Sequence, residues 1–483
     1  MAPNSSPSSS IFPCSLKTSA IIILCAFFTP FCTFVAALSS AISPFTKLSK
    51  HIKHHRQWRQ KSSSTFRPRT VLVTGVGPAK GLALARAFYR AGHRVVGADF
   101  EPYLVPVCGH FSSSIEIFYR LSRPSRSEGT ATYIQDVLSL VLKEKIELWI
   151  SCLAILATDD AEAAEIIERR TRCKAIQLDH TSTETLSQTP SFTYSAKELG
   201  LSVPESHIVT SEIEALNAVY PAGPRAGQSK RNLTISSIRQ GSPNHNFEAF
   251  TPLPTLGKTA ERIRKLSPTP FSPFFTQESI PGTEYTTHTL ILKGKLTAFV
   301  ACPSTPNNYT ALPYSSALSQ AMLLYTGAYI SSFGATTGHL SLTFRVPDSV
   351  STIGENTFGV SGSQIQELMS KIYAVSAYPG VSTAVVLFSD ESEGLAETYL
   401  SILPGHEPLG IANGHRDPYR VITPEPTVLS YYWVGQKLVS GVFGSLFALL
   451  RGQVGVRTLW RSWIDVAGIL LVYKDATWEV WDP

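Results

Sequence analysis

From Thr70 onward the chain spells a strand, a glycine turn, a helix and a second strand in close succession, and this constrains the fold more than any other feature. VLVTG is an apolar run suited to a buried strand, GVGPAKG interrupts it, LALARAFYRAG has helical apolar spacing closed by Gly92, and HRVVGAD resumes as a strand. Such a β-α-β unit calls for a parallel sheet, and the N-terminus of its helix can face an anion. Gly75, Gly77 and Gly81 invite a dinucleotide reading, with Asp99 placed to meet a ribose. The spacing is G-x-G-x-x-x-G, not the stricter G-x-G-x-x-G. A short-chain reductase would also need a Tyr and a Lys four apart on one helix face, where the lysine lowers the tyrosine pKa. The nearest candidates, Tyr194 and Lys197 in TYSAKELG, are three apart. An NADP-linked Rossmann reductase therefore stays as an alternative without its catalytic pair.

The alternation continues. YIQDVLSLVLKEKIELWISC reads as a helix and a strand ending near Cys152, DDAEAAEIIERR as a helix, and KAIQLD as a strand ending at Asp179. Four strands alternating with helices make a parallel α/β layer. Glu162, Glu165 and Glu168 read as a solvated helix face. With 483 residues there is room for two or three domains, and 43% hydrophobic against 16% charged residues supplies an ample core. The formal charge of +6 is concentrated in one stretch, from Lys47 through Lys50, Lys53, Arg56 and Arg59 to Lys61. The remainder is close to neutral, which argues against a nucleic-acid surface. Cys108, Cys152, Cys173 and Cys302 are scattered without metal-ligand spacing and read as buried thiols.

Ser19 to Ile42 carries no charge and is long enough to cross a bilayer as a helix. Only Lys17 precedes it while the basic cluster follows at once, so the positive-inside bias keeps the large C-terminal part cytosolic, behind a single-pass anchor. The competing reading is a cleaved signal peptide, with small residues at Ser39-Ser40-Ala41. Asn232 and Asn308 sit in N-x-T sequons that matter only if the body is lumenal. Val439 to Leu450 is apolar but too short to span and reads as a buried or interfacial helix.

After Asp179, AKELGLSVPESHIVTS reads as a helix, a turn and a strand. TQESIPGTEYTTHTLILKGKLTAFVACPS reads as a strand, a Pro-Gly turn and two strands around Lys293-Gly294. TTGHLSLTFRV, IYAVSAYPGVSTAVVLF, YYWVGQKLV and YKDATWEVWDP follow.

Through KGLALARAFYRAGHRVVGADF, LWISC, LGLSVPESHIVTS, QESIPGTEYTTHTL, ACPS, TGHLS, STAVVLF, YYWVGQ and WEVWDP, the chain from about Thr70 to Pro483 resembles the fungal ATP-grasp proteins. These are related to carbamoyl-phosphate-synthase large-chain and carboxylate–amine ligase domains. The resemblance implies an α/β plus α+β fold, with a Rossmann-like domain at 70–180 ahead of a two-lobed ATP-grasp body at 181–400. A polar tail at 1–17, a transmembrane helix at 18–45, a basic linker at 46–69 and a C-terminal segment at 401–483 complete the organisation. It implies ATP as cofactor, small carboxylate and amine substrates joined through an acyl phosphate, and a setting in secondary metabolism.

That reaction needs Mg²⁺ held by hard oxygen ligands and lysines on the phosphates. In the family the metal ligands come from an Asp in T-G-H-L-S-F-D-F and from Glu and Asn in E-C-N-P-R. Here TGHLSLTF puts Thr343 at the Asp, and SAYPG puts Ser376, Tyr378 and Gly380 at the Glu, Asn and Arg. Thr189 and Ser236 stand at the two lysine positions. What remains belongs to the adenosine end: by resemblance Gln277 and Glu278 meet the adenine and Glu284 the ribose, while Thr287, His288 and His339 match as scaffold. Lys80 matches a lysine of the glycine turn and faces either an anion or solvent. The catalytic residues stay unassigned, and a non-catalytic nucleotide- or partner-binding relative stands beside the ligase as an alternative.

Overall fold

A computed structural model describes residues 66–101, 107–124, 130–153, 157–220, 232–237, 248–253, 255–304, 310–406 and 421–424. The chain divides into units Met1–Arg67 and Pro68–Pro483, and all that follows concerns the second. The apolar segment at 19–42, the run at 439–450, Asn308, YYWVGQ and WEVWDP lie outside the described residues. Among the described residues no helix is long and apolar enough to cross a membrane.

The first sheet is parallel, in the order β3-β2-β1-β4-β5. Its strands are β1 (Thr70–Thr74), β2 (Arg94–Asp99), β3 (Ile117–Arg120), β4 (Leu148–Ser151) and β5 (Lys174–Ile176). The four strands read from sequence are all present. The fifth, β3, escaped because IFYR is a four-residue edge strand, only half-buried, and too short to show a period. Helices α1 (Ala79–Arg90), α2 (Ala131–Glu144) and α3 (Ala157–Arg170) cover the faces. Val71 and Val73 enter one apolar core and Leu72 another, as do Leu148 and Ile150 against Trp149. Burial on both faces is why these strands read as continuous hydrophobic runs.

After α4 (His180–Ser187) and α5 (Thr189–Glu198) comes a small antiparallel sheet, β6-β9-β7-β8. It comprises β6 (Ser206–Val209), β7 (Leu233–Ser237), β8 (Glu248–Phe250) and β9 (Phe274–Glu278), with α6 (Glu212–Val219) and α7 (Leu256–Leu266) on a core of their own. The large antiparallel sheet runs β11-β10-β12-β13, from β10 (Thr283–Leu292), β11 (Lys295–Pro303), β12 (Gly338–Val346) and β13 (Tyr373–Tyr378). One face of it packs on α5 and α8 (Ala317–Ile330) through Tyr285, Leu342, Phe344 and Tyr325. The other face shares a single core with the parallel sheet: Phe88 of α1 meets Leu290, Val300, the turn at Thr383–Phe388, and Tyr399 of α9 (Ser392–Leu400). Short helices at Asp348–Asn356 and Gly362–Met369 pack against α8.

Candidate functional site

Strand alternation sorts the large sheet's residues by face. Leu340, Leu342, Phe344 and Val346 of β12 enter the core with α8, leaving His339, Ser341, Thr343 and Arg345 on the opposite face. Register puts Glu284 beside Arg345, Thr286 beside Thr343, Thr343 beside Ser376 and Ser341 beside Tyr378. Every residue named at a metal position is therefore on one face of neighbouring strands.

The outer end of this face is half-exposed and polar. Thr286, Thr343 and Ser376 form a row of neutral hydroxyls across three strands, and the Thr286 hydroxyl bonds that of Ser304. Glu284 lies 2.9 Å from Arg345, whose guanidinium also donates to the Gly282 carbonyl at 3.0 Å. Gln277, buried on β9, donates its side-chain amide to the Val375 carbonyl at 3.3 Å. That bond ties the small sheet to β13 next to Ser376, so β9 borders this polar face. Ser236 is buried on the strand beside Gln277, and Glu278 is half-buried with its backbone N–H donating to the Glu205 carbonyl at 2.8 Å. Thr189 is buried in the first turn of α5 and accepts on its carbonyl from the Thr193 hydroxyl at 2.8 Å. Among the described residues no group of three His, Cys, Asp or Glu is placed to hold a metal.

The inner end is packed shut. The rings of His288 and His339 stack at 5.5 Å. His288 accepts from the Ser382 N–H on Nδ1 at 3.3 Å, and His339 Nε2 pairs with the Tyr399 hydroxyl at 2.7 Å. Burial drives both imidazoles down, His288 to about 3, so both are neutral scaffold. The Thr287 hydroxyl accepts from Leu342 N–H at 3.1 Å and donates back to its carbonyl, filling a gap in the ladder between β10 and β12.

At the glycine turn, a Cβ on Gly81 would lie 1.9 Å from the Gly75 carbonyl oxygen, so only glycine lets α1 begin this close to β1. Asp99 accepts from Gly77 N–H at 2.6 Å and Phe100 N–H at 2.7 Å, which commits it to holding the turn. Lys80 faces neither solvent nor an open anion site: its ammonium is buried and donates to the Val381 carbonyl at 2.9 Å. The sequence does not announce this, because a lysine's burial is decided by what folds over it. Tyr194 and Lys197 are exposed on α5, with no place at the glycine turn, and the Tyr194 phenol bonds Glu198.

Sequence reasoning missed Asp160. On the helix read as solvated, Glu162, Glu165 and Glu168 are indeed exposed, whereas Asp160 is buried and accepts from the Tyr133 hydroxyl and from Ser151 at 2.6 Å. Burial raises its pKa to about 7 against the pull of these bonds. The only signal was its place as the second Asp in a first helical turn that follows a strand. Cys152, Cys173 and Cys302 are buried free thiols, as read, and burial pushes all three up to about 12.

No family model matches the chain, and no curated protein does. Among solved structures the chain is similar to an L-amino acid ligase from Bacillus licheniformis, at 12% identity, over 74% of this chain and 79% of that one, with a TM-score of 0.46. It is similar to N5-carboxyaminoimidazole synthase from Aspergillus clavatus, in complex with ADP and 5-aminoimidazole ribonucleotide, at 12% identity over 66% and 71% with a TM-score of 0.44. Phosphoribosylglycinamide synthetase from Anaerococcus prevotii matches at 10% identity over 68% and 76%, with a TM-score of 0.43.

Proposed function

We propose that this chain binds a nucleotide in the cleft between its two antiparallel sheets, on the frame of an ATP-dependent carboxylate–amine ligase, and that it does so without Mg²⁺-dependent acyl-phosphate chemistry. The observation that carries the reading is the row Thr286, Thr343 and Ser376, which puts three neutral hydroxyls side by side on the cleft face. Mg²⁺ is held in such sites through carboxylates and phosphate oxygens, and this donor set does not fit it. Glu284, the nearest carboxylate on that face, is already paired with Arg345. Gln277 and Glu278 on the strand bordering the cleft would meet the adenine, and Glu284 would accept from ribose hydroxyls. Among the described residues no set of three acidic, His or Cys side chains is placed to hold the metal of a metal-bridged triphosphate, and by the resemblance Thr189 and Ser236 stand at the lysine positions.

The second reading is a working ligase that joins a small carboxylate to an amine, and the retained Gln277, Glu278 and Glu284 favour it. By the resemblance, such a protein would serve fungal secondary metabolism, and Ser19 to Ile42 would anchor it with its body in the cytosol. The reductase reading lacks support at Tyr194 and Lys197. A thermal-shift panel on the detergent-solubilised full chain, paired with an ADP-release assay, tests all three. The expected outcome is a rise in Tm with ATP that is the same in Mg²⁺ and in EDTA, with no ADP released from any carboxylate and amine pair. Saturation to 100 times Kd corresponds to about 2.7 kcal/mol of stabilisation. Mg²⁺-dependent ADP release would establish the ligase instead, and a response to NADP with indifference to ATP would establish the reductase.

A further inference from the structure

In the parallel sheet the strand order turns back between β1 and β4, and open sheets of this kind take their ligands outside the carboxyl ends of the strands at such a point. Here the chain itself fills that crevice. Lys80 is only 7% exposed; besides its bond to the Val381 carbonyl, its ammonium lies 5.3 Å from the centre of the Tyr378 ring. Tyr378 is turned back over its own loop. The Gly380 N–H donates to the Tyr378 carbonyl at 3.0 Å, and the Gly380 carbonyl accepts from the Ser341 hydroxyl at 3.1 Å. A Cβ on Gly380 would sit 2.7–2.8 Å from Cε1, Cζ and Oη of Tyr378, so any other residue at 380 would force the ring to move.

An ammonium offers three donors, and the Val381 carbonyl takes one. The other groups that face it are poor counter-charges. Asp160 is committed to the hydroxyls of Tyr133 and Ser151, and Cys152 is a buried thiol. Burial lowers the Lys80 pKa, raises that of Asp160 to about 7 and pushes Cys152 up to about 12. Tyr378 is half-buried as a residue, and burial raises the pKa of its phenol.

We propose that Tyr378 is a plug: the turn from Tyr378 to Ser382 occupies a crevice that takes a small oxyanion, a carboxylate or a phosphate, at the Lys80 ammonium once the ring swings out. The plug goes beyond the nucleotide reading and stands whether or not the cleft binds ATP, because its readouts use no nucleotide.

The experiment compares the full chain with Tyr378→Ala and Gly380→Ala, by pulsed amine acylation with peptide mapping and by thermal shift with inorganic phosphate and with acetate. In the parent, Lys80 should acylate at least about tenfold more slowly than exposed Lys371. In both variants it should approach the rate of Lys371, and either anion should raise their Tm while leaving the parent unmoved. Lys80→Met in the Tyr378→Ala background should abolish that rise. A response to phosphate but not to acetate, or the reverse, narrows the oxyanion. The plug is overturned if Lys80 of the folded parent acylates as fast as Lys371, a measurement that needs no variant. It is equally overturned if a folded variant leaves Lys80 protected, if the parent responds to anions as the variants do, or if Lys80→Met leaves the anion effect in place.

Discussion

Each end of the parallel sheet holds a carboxylate out of full solvent, Asp160 buried and Glu397 half-buried, and their surroundings pull the two in opposite directions. At the carboxyl ends of the strands Asp160 has two hydroxyl partners, and burial raises its pKa to about 7. At the amino ends burial also pushes Glu397 up, but His406 at 2.8 Å and His93 at 3.6 Å outweigh it and bring Glu397 to about 2. Arg69 strengthens that same end, lying 2.6 Å from Glu147 and donating to the Pro404 carbonyl at 3.4 Å. The amino end is thus a seam that holds the α9 region to the sheet. The carboxyl end instead holds Lys80 and Asp160 buried, with the pKa of each displaced by desolvation, an arrangement that accompanies functional sites.

Four perturbations would break or sharpen this contrast. The largest effect is expected at the core shared by both ends. Phe88 packs edge-on against Tyr399 at 5.7 Å, and Phe88→Ala should cost about 3–5 kcal/mol in urea denaturation while leaving both pH responses in their present direction. Next comes Glu397→Gln. A carboxylate depressed on folding contributes stability that is present above its unfolded pKa and is lost as pH falls through about 2. The variant should lose about 2–3 kcal/mol at neutral pH and converge on the parent in acid, as followed by denaturation at a series of pH values.

Asp160 should behave with the opposite sign. Its folded pKa is raised, so its contribution is fully present below about 4 and is lost as pH climbs through about 7. The parent should lose on the order of 2 kcal/mol across that window, and Asp160→Asn should flatten the slope. If the slope survives in Asp160→Asn, the contrast between the two ends has another source. The smallest effect belongs to the cleft. Arg345→Gln removes a partly exposed ion pair and should change stability by less than about 1 kcal/mol, yet reduce the Tm rise with ATP, because Glu284 loses the guanidinium that holds its carboxylate in place. An unchanged ATP response would remove Glu284 and Arg345 from the binding face.

Much of the architecture was legible because its signals are local. VLVTG, HRVVGAD and LWISC are buried on both faces, and TGHLSLTFRV alternates between core and cleft, so burial is written into adjacent residues. The outer cleft was partly legible too. The absence of acidic residues at 343, 376 and 378 is a matter of residue type, and the register then placed Thr343 and Ser376 side by side. Lys80 and Asp160 were not legible. Each looks like an ordinary surface charge in its own helix, yet Lys80 is buried by the far-off turn around Val381, and Asp160 by Tyr133 of another helix and Ser151 of the preceding strand.

The sequence by itself determined which strands and helices form and which chemical groups the cleft can offer, since periodicity and residue type act over a few neighbours. Only the tertiary structure decided which charges keep their water. The solvation of Lys80, Asp160 and Glu397 depends on elements brought together across long stretches of chain, and no local pattern encodes that desolvation.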